Sequence, residues 1–115
     1  METLRKTAQI MIDEATLREI VLSFPDAVEQ PHFEKTSFRA KKKIFATYSK
    51  HEHRACLKLS VSDQSLFCAF NKAIIYPLPN KWGQQGWTLF ELTKLEKEMI
   101  EAALETAFKE VTKKK

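Results

Sequence analysis

Residues 37–59, SFRAKKKIFATYSKHEHRACLKL, contain three short segments in which apolar and polar residues alternate, separated by two polar turns. An alternation with a period of two is typical of β-strands. The residues predicted to share one face are Phe38 and Ala40, then Ile44, Ala46 and Tyr48, with Phe45 and Thr47 opposite, and finally Ala55, Leu57 and Leu59. Because the connections are short, these strands are predicted to form an antiparallel meander.

Amphipathic helices are predicted before and after this meander. Asp13 is a candidate N-cap for a first helix that ends before Pro25. The apolar positions of this first helix are Leu17, Ile20, Val21 and Phe24. A long terminal helix is predicted from the apolar positions Leu95, Met99, Ile100, Ala103, Leu104, Ala107, Phe108 and Val111. A short helix after Ser60 or Ser62 and strands near residues 74–76 and 87–91 complete the pattern. The predicted fold class is α+β, an antiparallel sheet with the N- and C-terminal helices packed on one face.

Length and composition predict a single domain over residues 1–115, with residues 1–12 as an extension or arm. Of the 115 residues, 43% are hydrophobic and 30% are charged, as in ordinary globular proteins. We find neither a signal-peptide pattern nor an apolar run near the roughly 18 residues that span a bilayer. A cytoplasmic location without membrane contact is expected, a monomer is favoured, and the two cysteines are predicted to be reduced thiols in the core.

Positive charge is concentrated in one quarter of the chain. Residues 35–58 carry eight basic residues against one acidic residue, Glu52, whereas the remainder carries eleven basic and fourteen acidic residues. The eight are Lys35, Arg39, Lys41, Lys42, Lys43, Lys50, Arg54 and Lys58. Such an asymmetry indicates an anionic partner, and DNA or another polyanion is predicted to contact these residues. A lysine-rich turn that is simply solvated is the alternative.

Residues 76–87 are rich in aromatic side chains and proline and carry little charge. Two interpretations remain open: a structural cover over one side of the sheet, or a groove for a small ligand or a protein partner. The residues predicted to line such a groove are His32, Tyr76, Trp82, Gln85 and Trp87.

Catalytic and metal-binding signatures were sought and not found in the sequence. His51 and His53 form an H-x-H pair near Cys56, but a structural metal site needs about four ligands. They are predicted to be exposed turn residues. No catalytic residue, metal or cofactor is predicted, and an enzyme is the less favoured interpretation.

Several blocks of the sequence resemble one family. They are residues 24–29 (FPDAVE), Pro31-His32, 37–39 (SFR), 43–46 (KIFA), 57–59 (LKL) and 82–88 (WGQQGWT). Together they resemble the YjbR, or MmcQ/YjbR-like, family over roughly residues 13–111. The resemblance implies a frataxin-like α+β fold with a double-wing arrangement similar to that of DNA-binding proteins. The family's biochemical function is largely uncharacterised. The chain departs from its pattern at Asp26 and at Lys41-Lys42, where glycine is common.

These observations give one leading functional hypothesis and two alternatives. The leading hypothesis is a non-enzymatic module that binds DNA weakly and without sequence preference through its basic hairpins. The first alternative is a protein-binding or small-ligand-binding module that uses the aromatic surface of residues 76–87. The second is an enzyme of unknown class.

Overall fold

The structure of the protein is a computed structural model that describes residues 12–32 and 35–113, without the side chain of His32. The predicted extension of residues 1–12 lies outside this range except for Ile12. The side chain of Ile12 is buried, and its backbone N–H donates to the carbonyl oxygen of Leu92 at 3.2 Å. This bond ties the start of the described chain to the centre of the fold.

Four α-helices and six strands make up the described chain. The helices are α1 (Glu14–Leu22), α2 (Val61–Phe70), α3 (Lys81–Gln84) and α4 (Lys97–Thr112). The strands are β1 (Val28–His32), β2 (Lys35–Ala40), β3 (Lys43–Ser49), β4 (Arg54–Lys58), β5 (Ile75–Pro77) and β6 (Trp87–Glu91), and a 3-10 turn covers Leu92–Lys94. All strand pairs are antiparallel, in the order β1-β2-β3-β4-β6-β5. The predicted α+β class is confirmed. None of the described helices is long and apolar enough to span a membrane.

Helix α1 begins as its sequence predicts. The carboxylate of Asp13 accepts a hydrogen bond from the N–H of Thr16 at 2.8 Å, and this bond lowers the pKa of Asp13. Arg18 then joins the helix to β1, because its Nε donates to the carboxylate of Glu29 at 2.7 Å. The bond to Arg18 lowers the pKa of Glu29. The first helix and the edge strand are therefore held together by one ion pair.

The core lies between the sheet and helix α4. Phe108 of α4 stacks on Phe24 with ring centroids 5.0 Å apart and meets Phe45 of β3 edge-on at 5.7 Å. At the other side of the same face, Phe67 of α2 meets Phe90 of β6 edge-on at 6.1 Å. Aromatic pairs in these arrangements stabilise beyond their buried area. Helices α1, α2 and α4 thus cover one face of the sheet.

Two elements were absent from the predicted pattern. Strand β1 contains Pro31, which cannot donate a ladder hydrogen bond and therefore fits a strand at the edge of a sheet. Helix α3 occupies the segment that was predicted to be only a tight turn. Both elements are short, so their hydrophobic pattern carries little signal.

The predicted faces of β3 were wrong at its start. Arg39 pairs with Ile44, whereas Phe38 pairs with Ala46, so β3 contains one residue more than β2 at this point. This β-bulge turns Phe45 into the core, where it is fully buried, and leaves Ile44 on the opposite face. The prediction had assumed an uninterrupted alternation.

Asp26 and the pair Lys41-Lys42 have a left-handed backbone, which glycine adopts most readily. The φ angle is 65° at Asp26, 52° at Lys41 and 69° at Lys42. Lys41 and Lys42 form the two-residue loop between β2 and β3, in which both residues need a positive φ. Side chains with a Cβ adopt this conformation at a cost that glycine avoids.

We expect the double variant Lys41→Asn, Lys42→Gly to raise the free energy of unfolding by about 1–2 kcal/mol, because Asn-Gly is the preferred pair for this loop. Urea denaturation measures the change. Lys50→Gly is the control, since Lys50 is exposed in the next turn but is not among the described residues with positive φ. Glycine at position 50 should therefore destabilise. A urea midpoint for the double variant equal to or lower than that of the unmodified protein would contradict the assignment of a left-handed backbone to residues 41 and 42.

Candidate functional site

The face of the sheet opposite the three long helices is only partly covered. It holds a groove of about 360 Å³. The groove is lined by Lys35, Ile44, Thr47, Cys56, Leu78, Trp82, Trp87 and Leu89. Thr47 pairs with Cys56, and Cys56 pairs with Leu89, so these three side chains form a continuous floor across β3, β4 and β6. We call this surface the open-face groove.

Close packing holds the two tryptophans at one end of the groove. A Cβ added at Gly83 would lie 1.9 Å from the carbonyl oxygen of Leu78, and one added at Gly86 would lie 1.8 Å from that of Leu59. Gly86 also has a φ of 110°, which favours glycine. Both glycines of the WGQQGW segment therefore let backbone approach backbone, and Trp82 and Trp87 are displayed beside them.

A buried glutamine fixes the same segment from helix α2. The side-chain Nε2 of Gln64 donates to the carbonyl oxygen of Gly83 at 2.9 Å and to that of Trp87 at 3.3 Å. Gln64 is 8% exposed, so these bonds form in a site shielded from water. The amide thus connects α2, α3 and β6. The sequence analysis did not identify Gln64, because it lies among the polar residues Ser62, Asp63 and Ser65 and its sequence position does not distinguish it from them.

Cys56 lies at the centre of the groove floor. Burial raises the pKa of its thiol to about 12, and the nearby charge of Lys35 only partly opposes this shift. The thiol is therefore protonated at neutral pH and presents a neutral surface. Both cysteines are free; Cys68 is buried in the core, whereas Cys56 is partly buried on the open face. The prediction that both lie in the core was wrong for Cys56, because the side chains of β4 alternate between the core and the open face.

A polar cluster occupies the open face beyond the groove. Arg54 donates from Nε to a carboxylate oxygen of Glu91 at 3.0 Å, and Tyr76 donates its hydroxyl to the same oxygen. Burial and the hydrogen bond to the carboxylate both raise the pKa of Tyr76. Tyr76, predicted as a groove residue, is thus engaged with Glu91 and does not line the groove.

The remaining predicted groove residues are distributed unevenly. Trp82 and Trp87 line the groove, whereas Gln85 is the exposed C-cap residue of α3. The backbone of His32 pairs with Lys35 at the edge of the sheet, and its side chain lies outside the description. Lys35 was predicted as a nucleic-acid contact and lies in the groove as well. The structure thus brings together Trp82, Trp87 and Lys35.

The eight predicted basic contacts divide into exposed and engaged residues. Lys41, Lys42 and Lys43 lie at one end of β3, and Lys50 lies about 20 Å away at the other end. Arg54 is held by Glu91, and Lys58 lies 3.9 Å from Glu110 of α4 and donates to a backbone carbonyl. Arg39 is half-buried, and its Nε has no hydrogen-bond partner within the described ranges.

His51 and His53 lie exposed in the turn between β3 and β4. Within residues 12–32 and 35–113, no three His, Cys, Asp or Glu side chains are grouped so that they could hold a metal ion. These histidines are therefore surface residues of the turn.

Gln64→Leu should lower the free energy of unfolding by about 1–3 kcal/mol, because the two hydrogen bonds from its amide are lost, although each carbonyl keeps a backbone donor. Urea denaturation measures the loss. Gln84→Leu provides the control, since Gln84 is exposed and its replacement should change stability by less than about 0.5 kcal/mol. Equal effects of the two substitutions would argue against a structural role for the Gln64 amide.

We expect Cys56 to alkylate slowly. In a Cys68→Ala variant, the rate with iodoacetamide at pH 8 should lie at least about 100-fold below that of the unfolded chain, because little thiolate forms. The rate should keep rising from pH 9 to pH 11, since the folded pKa is about 12. Mass spectrometry follows the reaction, and the same variant unfolded in urea is the reference. A plateau near pH 9 in the folded protein would contradict the raised pKa.

Comparison with known proteins supports the fold and gives the family. The model of the YjbR family matches residues 22–110. The crystal structure of the Deinococcus radiodurans protein DR2400, whose domain is described as DUF419, is similar with a TM-score of 0.76 and 21% sequence identity. The similarity covers 95% of this chain and 83% of that protein. No curated protein matches the chain significantly. Since the family model matches most of the sequence, the chain belongs to the YjbR family.

Proposed function

We propose that the protein binds nucleic acid without sequence preference, through phosphate contacts made by lysines around the open face of the sheet. One observation carries this proposal. Within the described residues, five lysines of the basic segment have no carboxylate within 4.0 Å. They are Lys35, Lys41, Lys42, Lys43 and Lys50. Unpaired surface lysines are available to replace the counterions of a phosphate backbone.

The distribution of negative charge supports the same orientation. Helix α4, on the opposite side of the sheet, carries the exposed carboxylates of Glu98, Glu101 and Glu105. These carboxylates alternate with exposed Lys97 and Lys109, so a polyanion approaching that side meets both signs of charge, whereas the open face presents lysines at both ends of β3. The molecule thus has one favourable side for nucleic acid.

The kind of side chain indicates binding without base readout. Lysine ammonium groups act as point charges on flexible stems, unlike the bidentate arginines that recognise guanine. Arg54, at the start of β4 on the open face, is already bonded to Glu91. A phosphate-directed interaction follows from these side chains, with affinity that depends on salt.

A binding role is favoured over catalysis by the chemistry of the groove. Its one thiol, Cys56, has a pKa of about 12 and so is a poor nucleophile at neutral pH. Among the described side chains, no histidine or carboxylate lines the groove beside it. General acid–base catalysis needs such a group within hydrogen-bond reach.

Five phosphate contacts predict a slope of log affinity against log salt of at most about −4.5 for duplex DNA. Between 50 and 200 mM salt, affinity should fall by up to about 500-fold. The triple variant of Lys41, Lys42 and Lys43 to Gln should reduce the steepness of this slope by about 2.7 and weaken binding at low salt. Fluorescence anisotropy with a labelled duplex measures both quantities.

The matched control removes the same charge elsewhere. Lys94, Lys97 and Lys109 are exposed on the α4 side of the molecule, and their triple change to Gln alters the net charge equally. This control should bind nearly as the unmodified protein does. Equal loss in both triple variants would show a net-charge effect without a defined surface. No binding of either the duplex or a single strand at micromolar protein in 50 mM salt would exclude the proposed function.

A further inference from the structure

The open-face groove adds an aromatic surface to the lysines around it. Trp82 and Trp87 lie at one end of the groove, and Lys35 reaches into it from β2. Resting on the proposed function, we propose that this groove takes one unstacked base of a single-stranded nucleic acid, with the adjoining phosphate against Lys35. The protein would then prefer single strands over duplex.

The exposure of Trp82 is the first argument. Its side chain is 49% exposed, although the surrounding backbone is packed tightly at Gly83 and capped by Asn80, whose side chain accepts from the N–H of Trp82 at 2.9 Å. A tryptophan on a fixed backbone has only its side-chain torsions to lose when a flat ligand covers its ring. Bases of any identity stack on such rings, because each has a π-face.

The polarity of the groove is the second argument. No carboxylate of residues 12–32 and 35–113 lines it, and its described polar side chains include Lys35, Thr47 and the neutral thiol of Cys56. A neutral, flat group therefore fits the floor, and an anion fits beside Lys35. A base joined to a phosphate combines these two properties, and the volume of about 360 Å³ lies in the range of pockets that bind small molecules.

The position of the groove relative to the lysines is the third argument. Trp87 pairs with Lys58, which ends β4 beside the start of the neighbouring strand β3, so the tryptophans lie at the same end of the sheet as Lys41–Lys43. A strand whose base enters the groove can extend its phosphates toward these lysines. In a duplex the bases are paired and stacked, and none is free to enter without the cost of unpairing.

The test compares two single strands that carry the same phosphates. One is a labelled oligothymidylate of 12 nucleotides, and the other is an abasic oligomer of equal length. We expect the protein to bind the thymidylate at least about tenfold more tightly in 100 mM salt, because only that strand supplies bases for stacking. Quenching of tryptophan fluorescence should accompany binding of the thymidylate and not of the abasic strand.

Substitutions locate the effect. Trp82→Ala should reduce the preference for the base-containing strand to about one, and Trp82→Phe should restore most of it, since phenylalanine retains a stacking face. Phe70→Ala is the control, because Phe70 is a 61% exposed aromatic residue of α2 that does not line the groove. It should keep the full preference. Urea denaturation confirms that each variant is folded.

The outcomes separate this inference from the proposed function. Equal, salt-dependent binding of both strands would overturn base insertion and leave phosphate binding intact. A preference that persists in Trp82→Ala would also overturn it, because the base would then lie elsewhere. Failure of both strands and of the duplex to bind would overturn the proposed function and this inference together.

Discussion

The β-bulge at Phe38 and Arg39 determines which side chains belong to the core and which to the groove. One additional residue in β3 places Phe45 and Ala46 together on the helix side, both fully buried, and leaves Ile44 with Arg39 on the open face. A strand without the bulge would exchange these faces along its first residues. Phe45 would then lose its contacts with Phe24 and Phe108, and the groove would lose the Ile44 side of its lining.

The second constraint is the close approach of backbone segments around the tryptophans. Gly83 packs on Leu78 and Gly86 on Leu59, while Gln64 donates an additional hydrogen bond to the carbonyls of Gly83 and Trp87, which also accept from backbone N–H groups. These contacts use no part of the Trp82 ring. Glycine packing and the buried Gln64 amide thus stabilise the backbone of the segment, and the Trp82 indole remains exposed. If residues 76–87 served only to cover the sheet, the Trp82 ring would be expected to be buried.

Local patterns predicted most of the elements, and long-range contacts account for what they missed. Asp13 as a cap, the β2–β3–β4 meander and the terminal helix follow from spacing that neighbouring residues impose on one another. The bulge does not, because it depends on how Phe45 packs against helix α4. Nor do the partners of the basic residues: Arg54 meets Glu91 and Lys58 meets Glu110 only after the chain has folded. Charge counted along the sequence therefore overstated the charge available to a ligand.

The loop of Lys41 and Lys42 relates stability to binding. Two residues with a Cβ occupy left-handed positions there, at a cost of about 1–2 kcal/mol relative to an Asn-Gly pair. Neither lysine has a carboxylate partner within the described ranges, so no ion pair offsets the cost. What the two lysines do supply is positive charge at the most protruding point of the hairpin. Folds depart from the locally most stable residues mainly at functional sites. Two lysines that lower the stability of a loop and add only exposed positive charge are therefore what an anion-binding surface would be expected to show.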